Sequence, residues 1–221
     1  MKAVLDAPVA RGRTAGDPPP PPVTGARRLV ADPEAVDAVG EALAALYGTD
    51  EDPGPVPVVL AATDYCVQAA DAFAARCDDP ARRLRPSDSV ALEPSGLLQR
   101  FTALTGWQGP GYAIAAPDGD GAAAVRFAHA LVQSGRAPSV YLCEVLRRAD
   151  TGDFWAVAAR VRRGTQDAPP AVPRSAGAVG HAPAPAADPT DRLDPVTRSR
   201  SAVLRAYARP GTHDPAEEQQ P

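Results

Sequence analysis

The stretch from Gly96 to Glu144, GLLQRFTALTGWQGPGYAIAAPDGDGAAAVRFAHALVQSGRAPSVYLCE, limits the fold more than any other part of the chain. Leu97, Leu98, Phe101 and Leu104 recur at helical spacing and Gly106 stands at a C-cap position, so the stretch opens with a helix. Gly109-Pro110-Gly111 breaks the chain. Tyr112 to Ala116 is an apolar run without polar alternation, which predicts a strand covered on both faces. Pro117-Asp118-Gly119-Asp120-Gly121 has turn chemistry. Asp118 or Asp120 is then placed to cap a second helix, with Val125, Ala128, Leu131 and Val132 on its apolar face and Gly135 at its close. A second apolar strand, Ser139 to Glu144, follows.

The flanking segments extend this alternation. Asp32 before Pro33 and Glu34 is a helix start: an N-cap, a proline in the first turn and an acid near the positive end of the helix dipole. Val36, Val39, Leu43 and Leu46 mark its buried face, and Gly48 its end. Val56 to Ala62 is a β-branched strand with Pro57 tolerable only at an edge or at strand entry. Asp64 is placed to cap a helix to about Cys77, with Val67, Ala70, Phe73 and Cys77 inward. Beyond the central stretch, Val140–Leu146 and Phe154–Val161 predict a hairpin turned by Asp150-Thr151-Gly152-Asp153. The order α-β-α-α-β-α-β-β describes an α/β chain, a mixed sheet layered with helices.

Composition confines that fold to the middle. The chain has 221 residues and 26 prolines, with proline clustering toward the ends. Residues 1–26, with the run Pro18 to Pro22, read as a disordered Pro-rich arm to which Met1–Leu5 adds at most an edge strand. Residues 27–163 read as the folded domain. Residues 164–221 read as a disordered Ala/Pro-rich tail, with a short basic helix over Thr197–Ala208 that is either transient or a docking element folding on a partner. The formal net charge of −4 argues against a dedicated nucleic-acid binder. The arginine clusters (Arg82, Arg83, Arg85; Arg147, Arg148; Arg160, Arg162, Arg163) read as solvated surface or as a site for an acidic partner. The N-terminus does not resemble a signal peptide, and no apolar run reaches the ~18 residues of a membrane span; the expectation is a cytoplasmic protein. The three cysteines, Cys66, Cys77 and Cys143, form no CxxC pair and read as reduced thiols. The alanine, arginine and proline bias suggests a high-GC bacterial genome.

The succession helix, GWQGPGYAI, sharp turn, Ala-rich helix, SGRAPSVYLCE resembles the middle of a β-ketoacyl synthase of the thiolase-like superfamily, over residues 34–163. In that family a glycine-rich GPxxxI/V segment leads a strand into an elbow bearing the nucleophilic cysteine. A helix and a G-x-A turn into the next strand follow. Gly109, Pro110, Ile114, Gly135 and Ala137 match. The resemblance implies a thiolase-like half-fold, because the family carries two such halves in one chain. It also puts Asp118 where the cysteine belongs. The family's two histidines come from the second half, and His129, His181 and His213 are not placed to act with the elbow.

A thiolate on a turn at a helix N-terminus is activated for acyl transfer. A carboxylate there is held ionised by the dipole and is a poor acyl carrier and base. Asp118 therefore reads as a turn or cap residue, as a charge mimic in a ligand tunnel, or as a base raised by burial. The resemblance thus implies a truncated, non-condensing synthase-like protein of polyketide or fatty-acid biosynthesis. It would act as accessory subunit to a ketosynthase, as a self-dimer, or with an acyl carrier protein. The alternatives are an isomerase or dehydratase on carrier-bound acyl chains using Asp118, and a small binding or regulatory module. Trp107, Gly109, Gly111, Asp118, Gly119 and Asp120 are the candidates for a pocket or interface. Asp118-Gly119-Asp120-Gly121 lacks the remaining ligands of a calcium loop, and no motif calls for a metal or cofactor.

Overall fold

A computed structural model describes residues 3–13, 17, 31–49, 54–81, 83–116, 119, 121–148, 150–164 and 193–208. The chain enters as strands β1 (Ala3–Leu5) and β2 (Val9–Arg13), in line along one side of the later strand β6 (Phe154–Arg163) and antiparallel to it. Pro8 lies in the break between them, where its missing N–H interrupts no ladder. Asp6 bridges the same gap, its N–H donating to the Arg160 carbonyl at 2.8 Å and its carboxylate accepting from Arg162 Nε at 2.8 Å. The sheet therefore starts well before residue 27, the boundary read from proline content. The edge strand expected within Met1–Leu5 is β1, whereas β2 carries no local signal and forms by pairing with β6.

Helix α1 (Pro33–Tyr47) starts at the predicted cap. Asp32 Oδ1 accepts from the N–H groups of Glu34 and Ala35, at 3.0 and 3.3 Å, and Val36, Val39, Leu43 and Leu46 are buried. Strand β3 (Val58–Ala61) is buried throughout, and Pro57 stands just before it, its carbonyl accepting from Tyr141 N–H at 2.9 Å. Helix α2 (Thr63–Cys77) departs from the reading in two ways. It begins at Thr63, so Asp64 lies inside the first turn rather than at the cap. Its buried residues are Tyr65 and Ala69, while Val67 is 56% exposed. The tyrosine sets the rotation: its ring packs near Phe154 and its hydroxyl donates to the Ala91 carbonyl at 2.7 Å.

Short helix α3 (Pro86–Val90), a 3-10 turn over Pro94–Leu98 and helix α4 (Gln99–Thr105) follow. Leu97, Leu98 and Phe101 are buried, Leu104 is not, and Gly106 caps α4 in the left-handed region at φ 69°. Strand β4 (Gly111–Ile114) pairs in parallel with β3 alone. It was expected to be covered on both faces; instead it is the sheet's edge, with Gly111, Tyr112 and Ala113 exposed. An apolar run reads alike in a central and an edge strand, and only the topology separates them. Helix α5 (Ala122–Gln133) crosses back to β5 (Ser139–Arg147), which is parallel to β3 and antiparallel to β6. Gly121 stands at the N-cap position of α5, and the two expected caps, Asp118 and Asp120, lie outside the described residues. Helices α6 (Pro195–Arg200) and α7 (Ala202–Ala208) end the described chain.

The sheet order is β1-β6-β5-β3-β4, with β2 also on β6. Alternation along β5 divides two cores. Tyr141, Cys143 and Val145 face the layer of α1, α2 and α4; Val140, Leu142 and Leu146 face α5 and α7. The segment read as a basic helix over Thr197–Ala208 is thus two helices broken at Ser201, and α7 packs on its own domain, burying Ala202 and Val203.

Candidate functional site

Of the six residues singled out from sequence, the four described ones fall at opposite ends of β4. Trp107, Gly109 and Gly111 gather at its amino end. The Trp107 indole is 6% exposed, tilted against Phe101 with centroids 5.4 Å apart, and its Nε1 donates to the Val56 carbonyl at 2.8 Å. Gly109 lies so close over this pair that a Cβ would stand 2.6 Å from both Trp107 Nε1 and Val56 O. Against Gly111, Leu98 Cδ1 would meet an added Cβ at 3.0 Å. This group welds the loop before β4 to the entry of β3.

Gly119 lies past the carboxyl end of β4. Its φ of 67° is left-handed, a Cβ there would meet nothing within 4 Å, and its N–H donates to the Ala116 carbonyl at 3.1 Å, closing a tight turn. Thr63, at the start of α2, anchors the approach: its Oγ1 accepts from Ala116 N–H at 3.1 Å. Asp118 and Asp120 lie outside the described residues.

Two acids outside those six candidates stand nearby, Asp64 in the first turn of α2 after β3 and Glu144 in β5. Glu144 lies inside β5, not at its end, on the face toward α5 and α7, and is 2% exposed. Its Oε2 accepts from Ser201 Oγ at 2.7 Å and Val203 N–H at 3.2 Å, and its Oε1 from Ala202 N–H at 3.1 Å. Burial pushes its pKa above the usual carboxylate value, and these donors oppose the shift. Gly121 permits the arrangement: a Cβ there would be 2.4 Å from Glu144 Oε1. Asp64 accepts from Arg147 N–H at 2.8 Å and from Arg200 Nη2 through both oxygens, at 2.9 and 2.8 Å. The signal for Glu144 was a lone acid in the apolar run SVYLCEVL, since a buried charge needs built partners.

The thiols lie elsewhere. Cys143, on the opposite face of β5 from Glu144, is fully buried, which drives its pKa far up. Cys66, half-buried in α2, is raised by the same cause, and Cys77 is exposed. None stands at the turn between β4 and α5. Of the histidines, His129 sits within α5, and His181 and His213 lie outside the described residues. Among the described residues no group of three or more His, Cys, Asp or Glu is placed to hold a metal, and no helix is long and apolar enough to cross a membrane.

No family model matches the sequence, and no curated protein does. Solved structures do match. A ketosynthase in complex with its chain length factor, from Xenorhabdus doucetiae, aligns at TM-score 0.56 with 10% identity, over 75% of this chain and 81% of that one. A β-ketoacyl synthase from Burkholderia phymatum aligns at TM-score 0.50 with 10% identity, over 74% of this chain. The present chain spans 59% of that synthase's length, whereas the matched chain of the first complex is short, close to this one in size. At these identities the likeness is one of fold. Together with the mixed sheet, the strand–turn–helix after β4 and the terminal hairpin, it establishes that the chain has the thiolase-like half-fold of the ketosynthases.

Proposed function

We propose that this chain is a non-condensing accessory subunit of a ketosynthase, working in the cytoplasm in polyketide or fatty-acid biosynthesis. One observation carries the reading: in a ketosynthase half-fold, the whole connection from β4 to α5, residues 115–121, is AAPDGDG and contains no cysteine. That connection is where the family resemblance puts the nucleophile, and Asp118 is the residue it sets there. The chain has no cysteine at all between Cys77 and Cys143, so no small shift of register restores one. A solved chain of similar size and fold comes from a complex of a ketosynthase with its chain length factor, which supports a role as partner.

The open edge β4 is the surface we assign to that partner. Tyr112 is 39% exposed and stacks edge-on against Phe127 of α5, with centroids 5.2 Å apart. An unpaired strand edge beside exposed aromatic area is a template for another chain. Co-expression with a ketosynthase and an acyl carrier protein of the same genome, read by light scattering on a sizing column, tests the reading. A defined complex with the ketosynthase, lost in Tyr112→Glu, is the expected result. A monomer that binds neither protein, or acyl transfer by this chain alone, would sink it.

A further inference from the structure

The crevice outside the carboxyl ends of the parallel strands is where open α/β sheets take ligands, at the point where successive connections run to opposite sides. Here β3 is that point, with β4 on one side and β5 on the other. The crevice is filled by the chain's own C-terminal corner. Arg200 holds Asp64 through both carboxylate oxygens and, through Nη1, the Arg147 carbonyl at 3.1 Å. The next three residues, Ser201, Ala202 and Val203, each give a donor to Glu144. Four consecutive residues thus satisfy two carboxylates, one in the first turn of α2 just past β3 and one within β5, as a bound peptide would.

We propose that residues 193–208 are a detachable strap, and that Asp64 and Glu144 form an acceptor site whose ligand is the Arg200–Val203 corner. The strap's apolar hold is Leu193, Ala202 and Val203, buried, with Leu204 and Ala206 partly buried against the same core. Residues 165–192 lie between it and the end of β6 in sequence, and its polar contacts with Asp64, Arg147 and Glu144 tie it to the domain. The ligand class that fits is an arginine followed by a hydroxyl residue that starts a helix, because one guanidinium nitrogen is shared between the two oxygens of one carboxylate and the hydroxyl and first free N–H groups match the other. Strap and turn are also in touch. A Cβ on Gly121 would stand 3.2 Å from Ala202 Cβ, so release opens the crevice at the start of α5. The inference is independent of the partner reading, since β4 and Tyr112 take no part in these contacts.

Hydrogen exchange on the full chain tests it, with a synthetic peptide of residues 193–208 as probe. In the wild type the amides of residues 202–208 exchange at least tenfold faster than those of β5 and β6, as a separately opening unit. Arg200→Ala, a mild change at a partly exposed side chain, speeds 202–208 a further fivefold or more and leaves β5 and β6 unchanged. The labelled peptide binds the Arg200→Ala, Ser201→Ala chain saturably, and binding falls at least tenfold when Asp64→Asn and Glu144→Gln are added. If β5 and β6 accelerate together with 202–208, the segment is an integral part of the domain and the strap is refuted. Unchanged exchange of 202–208 in Arg200→Ala, or no saturable binding of the peptide, refutes the acceptor site.

Discussion

Gly109→Ala is the substitution whose cost can be worked most directly from the structure. The new Cβ would stand 2.6 Å from Val56 O, 2.9 Å from Pro55 O and 2.6 Å from Trp107 Nε1. Two of these three atoms are backbone carbonyl oxygens at the entry of a buried strand, and they cannot swing aside as a flexible side chain would. Overpacking of this kind costs about 1–3 kcal/mol. The third atom is the donor of the Trp107–Val56 bond. If the indole yields instead, a buried donor and acceptor separate, at about 1–3 kcal/mol. Relief along either route leaves a loss of about 1–3 kcal/mol, a large share of the roughly 5–15 kcal/mol a domain has in total. Urea unfolding followed by tryptophan fluorescence measures it. The midpoint falls while the slope stays constant, and Tm drops by roughly 2–12 °C. Gly119→Ala is the control: it meets no atom but carries φ 67°, so it costs only about 1–2 kcal/mol. A Gly109→Ala chain within 0.5 kcal/mol of wild type would refute the close approach of loop and strand entry.

Further outcomes follow from the same contacts. Ser201→Ala removes the donor to Glu144 Oε2 and the acceptor of Leu204 N–H at 3.2 Å; the loss of a cap and a charge-assisted bond is about 2 kcal/mol for the C-terminal segment, readable by urea unfolding. Tyr65→Phe loses the bond to Ala91 O and about 1 kcal/mol, whereas Val67→Lys, on the exposed side of α2, changes stability by less than about 0.5 kcal/mol. Glu144 gives a pH signature. Its folded pKa lies above the unfolded value of 4.5, so between the two the folded state binds the extra proton, and this group's contribution to stability grows as pH falls through the folded pKa and is lost as pH rises through it. Parallel unfolding titrations of wild type and Glu144→Gln, from pH 8 to 4.5, show that gain in the wild type and not in the variant. The opposite slope in the difference would mean that the three donors outweigh burial.

Much of the fold was legible because local chemistry and tertiary packing agree in the middle of the chain. Asp32, Val36, Val39 and Leu43 announced α1, and the structure uses each as read. Asp150-Thr151-Gly152-Asp153 announced the β5–β6 turn, and Gly152 adopts φ 79° there. What failed depended on contacts distant in sequence. Whether Tyr112 lies inside or at an edge is decided by β4 pairing, among the described residues, with β3 only, and that information is not in the run GYAI. The rotation of α2 is decided by Tyr65 reaching Ala91, 26 residues on. Asp64 looked like a cap because caps are the commonest local role for aspartate at such a position; its partners are 83 and 136 residues away. Glu144 was visible as an anomaly in an apolar strand, but its meaning required Ser201, 57 residues on.

Helix α5 is covered differently on its two flanks. On one flank α7 lies against α5, burying Ala202 and Val203 over the sheet. On the other, Phe127 is met by the exposed ring of Tyr112. The two flanks are held by different chemistry, ion pairs and capping bonds on the first and apolar contact on the second, so they respond to different perturbations. High salt, which screens the partly exposed Arg200–Asp64 pair, loosens the strap and leaves aromatic burial intact. If Tyr112 and Phe127 receive a partner, association measured at 1 M NaCl persists while the exchange of residues 202–208 quickens. Loss of both together would mean that strap and edge belong to one interface.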